Sequence, residues 1–442
     1  MTKIWWSATL AAAVWLLIAS AAAQERDPSD AVEAAPSGSA QLTLDDLRTF
    51  TDVFNQVRRN YVEEVDDHTL LDAAIRGMLM ELDPHSSYLP GSDYRELEDS
   101  SQGRYSGIGI EVRPDDGRIV VRAVINGSPA DQAGINPRDV ITAIDGEAVE
   151  TSLLQDAIDQ LMGEPDTDVT LEILTPEGAQ RSLTVQREYL QIPVLNFKLL
   201  EQSWGYFKVD LFHKGSARDL EQSLNSIAAD DIELQGLVID LRNNPGGVLQ
   251  GAVEMADGFL DEGVIVTTRG RNAAMQLEFS AQPGQWLPGV PLLILVDRGS
   301  ASASEVLAGA LQDHQRAVIV GERTFGKGSV QSVLPLRNGG GIKLTTARYY
   351  TPSGRSIQAE GIEPDIVYEA GGAPDADTSR SREADLARHL GRDEPEGRAQ
   401  ADAGIQAGDG VPLEEALAIL ERAGILVAPD ADAAAEENST QP

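Results

Sequence analysis

The sequence contains no cysteine. Disulfides, thiolate nucleophiles and cysteine-ligated metals are therefore excluded. Lysine is scarce, with six in 442 residues: Lys3, Lys198, Lys208, Lys214, Lys327 and Lys343. Histidine is scarcer, at five: His68, His85, His213, His314 and His389. No serine sits in a G-x-S-x-G elbow, and none stands three positions before a lysine. No H-E-x-x-H pattern occurs, and the histidines are scattered, so no metal and no cofactor is expected. Positive charge is also low. Lys and Arg number 35 against 71 Asp and Glu, a net charge of −36. That argues against nucleic-acid binding, which needs cations to neutralise phosphates. It equally disfavours adhesion to anionic membranes. At ~100–200 residues per domain, the length implies two or three domains.

One long apolar run is present, Ile4 to Ala19, behind Lys3 and ahead of Ser20-Ala-Ala-Ala23. A short basic start, an apolar centre and small residues at the end are the marks of a secretory signal peptide over 1–23. The alternative is a retained inner-membrane anchor, although the run is short for a ~20-residue span. Either way the remainder is expected to be exported, which fits a periplasmic location. Residues 24–40 are rich in Ala, Pro, Ser and acid and read as a linker. Over 41–102 a helical hairpin is expected. Leu47, Phe50, Phe54, Val57 and Tyr61 form one apolar stripe, and Leu71, Ile75, Met78 and Leu82 a second. Pro84 breaks the pattern, and His85 beside it reads as structural rather than as a ligand.

The candidate chemistry lies further on. Pro291 to Val296 reads as a buried strand. Small and apolar residues after Ser302 read as a helix, and Ser300, Ser302 and Ser304 crowd the junction. A serine there has its hydroxyl at a helix N-terminus, where free N–H groups favour a developing anion. It also suits a simple cap. A nucleophile needs a base, and His314 is twelve positions along the same helix, about 18 Å away at 1.5 Å rise per residue. A neutral lysine is the remaining base, because burial disfavours the ammonium form. Lys327 lies between Gly326 and Gly328 on a turn after a strand, and Gln331 follows where it can hold the amine. Gln235 to Leu241 reads as another buried strand, running into Arg242-Asn-Asn-Pro-Gly246-Gly247. Two glycines there can turn backbone N–H groups toward a reacting carbonyl.

G-S-A-S-A-S-E, T-F-G-K-G-S-V-Q and D-L-R-N-N-P-G-G resemble the motifs of the C-terminal processing peptidases, the tail-specific serine proteases of family S41. The resemblance covers roughly 40 to 370. It implies Ser302 as nucleophile, Lys327 as general base and Gln331 as the residue orienting it, whereas spacing alone leaves Ser300, Ser302 and Ser304 open. It also implies an oxyanion hole from Gly246 or Gly247 with Ala303, and a supporting role for Glu305. Residues 103–187 resemble an inserted PDZ domain, with Gly107-Ile108-Gly109-Ile110 as its carboxylate-binding loop. The turn Gly163-Glu-Pro-Asp166 departs from the family pattern. The expected fold is α/β and multidomain, with a protease core over 188–369 and a partly disordered acidic tail, 370–442, holding one helix over Pro412 to Ala423.

The expected function is a Ser/Lys endopeptidase acting on envelope proteins selected by their C-termini. Expected partners are those protein tails, a tetratricopeptide-repeat adaptor lipoprotein of the kind some relatives need, and further copies of the chain as a dimer or larger. The rival readings are a non-catalytic PDZ scaffold and an acyl-CoA hydratase or isomerase with a similar core.

Overall fold

The computed structural model describes residues 42–115, 118–149, 154–191, 195–367, 382–391, 417, 418, 420 and 422. The signal peptide, the linker and most of the tail helix expected from the sequence lie outside them. The chain divides into two compact units, 1–71 and 72–442.

In the first unit, Leu44–Asn60 is an α-helix. Thr43 and Asp46 cap it reciprocally, Asp46 N–H donating to the Thr43 hydroxyl and Thr43 N–H to the Asp46 carboxylate. None of its residues is buried. Its apolar stripe, with Leu47, Phe50, Val53, Val57 and Tyr61, faces solvent in the single chain.

The second unit is built on a six-stranded sheet. Its order is Leu195–Leu199, Trp204–Val209, Gly236–Asp240, Leu292–Val296, Val318–Gly321 and Ile366–Val367. Only the first pairing is antiparallel. Parallel strands are covered on both faces, and successive side chains point to opposite sides. Phe207, Ile239, Ile294 and Ile319 face the helices Ser216–Ala229, Leu249–Asp257 and Ala303–Asp313 in the larger core. Trp204, Tyr206, Val238, Leu293 and Val320 face the other way, where Leu417 and Leu420 cover them. The expected tail helix therefore has a place on the chain's own core, where Leu420 is fully buried.

A second sheet centres on Gly341–Tyr350, which pairs with Ser87–Leu89, Val264–Gly270 and Ser329–Pro335. It brings the residues after the early helices beside the strand that carries Gln331. The stretch read as an acidic tail contributes more than a helix: residues 382–391 pack on this region, and the Glu383 side chain is fully buried.

The inserted β-rich module has its own core of Ile108, Val121, Ile144, Leu171 and neighbours. Its antiparallel sheet runs Ile110–Asp115, Arg118–Val124, Val140–Ile144, Asp168–Leu174, Gln180–Gln186. A two-stranded stem, Arg104–Gly107 with Glu188–Gln191, joins its entry and exit. Arg187 braces the unusual 163–166 turn, donating to Gln160 O, the Thr167 hydroxyl and Asp168 O.

Candidate active site

The strand Leu292–Val296 ends in a serine-rich turn, and Ser302 caps the helix Ala303–Asp313. Its backbone sits at φ 56°, ψ −112°, a conformation that costs a non-glycine residue about 1–3 kcal/mol. The surroundings distinguish the three serines. Ser300 is buried, and its hydroxyl donates to Leu241 O at 2.8 Å. Ser304 is buried, and its hydroxyl donates to Asn244 O at 3.1 Å. Ser302 alone of the three is partly exposed. The two flanking hydroxyls thus tie the serine turn to the 241–247 loop. Ala301 N–H also donates to Asn244 O.

That loop is anchored at its start by Asp240, a buried carboxylate that takes hydrogen bonds from the Arg242 guanidinium and the Tyr206 hydroxyl. Burial would raise its pKa, but these donors and the Arg242 charge hold it below the ordinary value. Gly246 N–H is taken by Asn244 Oδ1 at 2.9 Å. Gly247 N–H and Ala303 N–H make no hydrogen bond among the described residues. Of the two glycines the sequence left open, Gly247 therefore carries the free donor. Gly246 serves by close approach: a Cβ there would lie 2.8 Å from Ser302 Cβ, and its φ is 109°.

Lys327 lies on the turn Thr324–Gly328. Glu305, fully buried on the serine helix, holds this turn. Its Oε1 accepts from the Thr324 hydroxyl (2.6 Å) and Gly326 N–H (2.7 Å). Its Oε2 accepts from Ser302 N–H (2.7 Å) and Lys327 N–H (2.9 Å). Burial pushes this carboxyl up to about 7, against the pull of its four donors. The Lys327 amine is held below the ordinary lysine value, chiefly by burial and then by the Lys343 charge; Glu383, Glu305 and Asp83 act in the opposite direction. No hydrogen bond joins Ser302 Oγ to Lys327 Nζ among the described residues. Gln331 donates to the hydroxyls of Thr345 (2.8 Å) and Ser329 (3.3 Å). Its Oε1 is buried without a partner among the described residues.

Sequence reading did not find Asn244 or Glu383. Asn244 stands inside the quoted glycine motif, so its place was visible although its role was not. Glu383 lies in a stretch of mixed charge with no pattern to single it out. His314 ends the serine helix and bonds Val264 O, remote from the chemistry as expected.

In the β-rich module, Ile108 and Gly109 have carbonyls bonded inward, to Ala130 N–H and Ile125 N–H. Their own N–H groups make no hydrogen bond among the described residues. Gly107 belongs to the stem and Ile110 opens the edge strand. The Ile108 side chain is in the core, so this loop offers backbone, not side chains, to a ligand.

Three family models match the chain. Peptidase family S41 covers 203–368, a PDZ domain 120–175, and the activating protease CtpB N-terminal domain 8–92. The carboxy-terminal-processing protease of Bartonella bacilliformis is 41% identical over 337 residues, covering 75% of this chain and 77% of that one. The chain belongs to the carboxy-terminal-processing proteases of family S41. The protease is thereby a serine-type peptidase with a PDZ domain, which sets aside the scaffold and hydratase readings. It is also similar to the carboxy-terminal processing protease CtpB of Bacillus subtilis, at 36% identity over 71% of this chain and 66% of that one. A solved photosystem II D1 C-terminal processing protease is 32% identical, covers 72% of this chain and 92% of that chain, and has a TM-score of 0.43.

Proposed function

We propose that this protease is a Ser/Lys endopeptidase that selects protein substrates by their C-termini. The observation that carries the reading is the shared anchoring of Ser302 and Lys327 on one buried carboxylate oxygen, beside a desolvated amine. Neutral Lys327 takes the Ser302 hydroxyl proton as Oγ bonds to the substrate carbonyl carbon. Gly247 N–H and Ala303 N–H receive the oxyanion, a contact whose loss typically costs ~10²–10³ in turnover. The Lys327 ammonium then protonates the amine as the C–N bond breaks. Water, activated by the same amine, releases the acyl group. The unpartnered Gln331 Oε1 offers the amine an acceptor. Resting enzymes often lack the tight catalytic hydrogen bond of the working complex, so its absence here is compatible with alignment on substrate binding.

The substrate tail adds as a strand to the exposed edge Ile110–Asp115, beside the helix Leu154–Leu161, with its carboxylate on the free N–H groups of Ile108 and Gly109. The apolar leader and the family suggest cell-envelope proteins as substrates and a periplasmic site of action. The solvent-facing stripe of Leu44–Asn60 supports association between copies. A tetratricopeptide-repeat adaptor lipoprotein is a candidate activator.

The test is cleavage of a loosely folded protein by the purified chain, beside Ser302→Ala and Lys327→Ala. Cutting by the wild type alone upholds the dyad. Wild-type cutting retained by Lys327→Ala overturns it. If nothing cuts, adding envelope extract decides whether an activator is missing.

A further inference from the structure

The lysine turn has two sides. Glu305 holds one. The other is held by Gln358, near the end of the S41 match, and by Glu383, which lies beyond it. Gly328 N–H donates to Gln358 Oε1 at 3.0 Å. The Gln358 amide in turn donates to Glu383 Oε1 at 2.8 Å and to Leu390 O at 3.1 Å. Glu383 N–H donates to Phe325 O at 3.1 Å, inside the lysine turn itself. Glu383 Oε2 lies 2.7 Å from His85 Nε2, on the segment that precedes the strand Ser87–Leu89. The carboxylate and Gln358 are fully buried.

We propose that Glu383 is a positioning residue for Lys327, carried on a strap, residues 382–391, that closes the lysine turn from the side opposite Glu305. The assignment of Lys327 as the base is the reading it rests on. Two further anchors hold the strap. Arg382 donates to Glu360 O (3.0 Å). Arg388 reaches Met80 O (3.1 Å) and the Glu81 carboxylate (2.9 Å).

Glu383 acts in two ways. Its backbone and side chain, the latter through Gln358, fix the positions of Phe325 and Gly328, the residues that bracket Gly326 and Lys327. Its charge also enters the field at the amine, together with Glu305 on the serine helix, Asp83 on the segment before Ser87, and Lys343 on the long strand, while His85 on the same segment as Asp83 contacts Glu383 itself. Of these, Lys343 favours the neutral amine, and Glu383, Glu305 and Asp83 favour the ammonium. Burial would raise the Glu383 pKa, but hydrogen bonds from His85 and Gln358, with the His85 and Lys327 charges, hold it below the ordinary value. The carboxylate is therefore ionised where the enzyme works. A positioning role follows from the chemistry, since a catalytic group displaced by about 1 Å can lose ~10²-fold in rate.

The experiment uses the full chain with Glu383→Gln and Glu383→Ala. Glu383→Gln keeps the shape and an acceptor for Gln358 but removes the charge, so it guards against simple misfolding. Three readouts are taken: kcat and KM on a peptide substrate, the pH profile of kcat/KM, and the titration of the Lys327 amine followed by competitive amine labelling and mass spectrometry. In Glu383→Gln the amine is expected to titrate at lower pH than in the wild type, with the acid limb of kcat/KM moving the same way. In Glu383→Ala kcat is expected to fall by up to about 10²-fold with KM little changed. Folded variants with wild-type kcat and wild-type amine titration would overturn the proposal, leaving Glu383 a structural residue. Failure of the dyad reading looks different: Lys327→Ala would cut normally, and the labelling readout would still report whether Glu383 acts on the amine.

Discussion

Ser302 and Lys327 donate their backbone N–H groups to the same atom, Glu305 Oε2, at 2.7 and 2.9 Å. The turn bearing the serine and the turn bearing the lysine are thus registered through a single buried acceptor rather than through their side chains. Replacing that acceptor is expected to be severe. In Glu305→Gln an NH₂ must face two N–H or O–H donors, whichever way the amide is turned. Each buried donor left unmatched costs about 1–3 kcal/mol. Both Glu305→Gln and Glu305→Ala should lose proteolysis and melt lower than the wild type; a Gln variant with full activity and stability contradicts this account.

The rate should rise with pH across roughly 6 to 9, because the base works only as the neutral amine. Burial and the Lys343 charge hold Lys327 below the ordinary lysine value, so the rise should begin earlier than free lysine allows. Glu305 adds to the acid loss, since protonation near its pKa of about 7 sets an O–H against its donors. Measuring kcat/KM with the fold monitored by circular dichroism checks the sign. A rate that declines over this interval contradicts a lysine base.

Gly246→Ala should inactivate without unfolding. The new methyl would meet Ala301 O at 2.7 Å and Ser302 Cβ at 2.8 Å, and the backbone is at φ 109°. Either the loop or the serine turn must shift, and a disturbed oxyanion site is worth ~10²–10³ in kcat. Turnover and melting temperature, measured together, separate this from general destabilisation.

A peptide with a free C-terminal carboxylate should bind the Ser302→Ala protein more tightly than the same peptide amidated. The free N–H groups of Ile108 and Gly109 donate more strongly to a charged carboxylate than to a neutral amide. Fluorescence anisotropy with the two peptides is sufficient; equal affinities would argue against carboxylate recognition by this loop.

Phe50→Asp with Val53→Asp should reduce the assembly state in solution. Both side chains are about half exposed, at 50% and 58%, on a helix with no buried residue. Sedimentation velocity of the variant and the wild type reads the result directly. An unchanged distribution places any self-association elsewhere.

Much of the architecture was legible from periodicity. Gly236–Asp240 and Leu292–Val296 are continuous apolar runs because both faces of a parallel sheet are covered. The glycines flanking Lys327 and those ending the 241–247 loop were equally visible. Less legible was the 382–391 strap. Its residues mix charges of both signs with a few Ala and Leu, and hydrophobic pattern carries no signal for a segment held by Glu383, Arg382 and Arg388 through hydrogen bonds. The outward stripe of Leu44–Asn60 was visible as apolar, but a single chain leaves it uncovered.

By itself the sequence determined the reaction class the chain can support. Without cysteine, and with histidines scattered, it concentrates serine, lysine and paired glycines in three short motifs whose residue types suit acyl transfer. Only the tertiary structure decided which hydroxyl is available, because Ser300 and Ser304 are occupied by carbonyls some sixty residues earlier in the chain. Only it brought Glu383 to a turn 56 positions before it (383 − 327), beside His85 from near the other end of the described chain. Local propensity is set by neighbours a few residues apart. The pairing of buried donors with acceptors is set by sheet register and packing, which join residues that are remote in sequence.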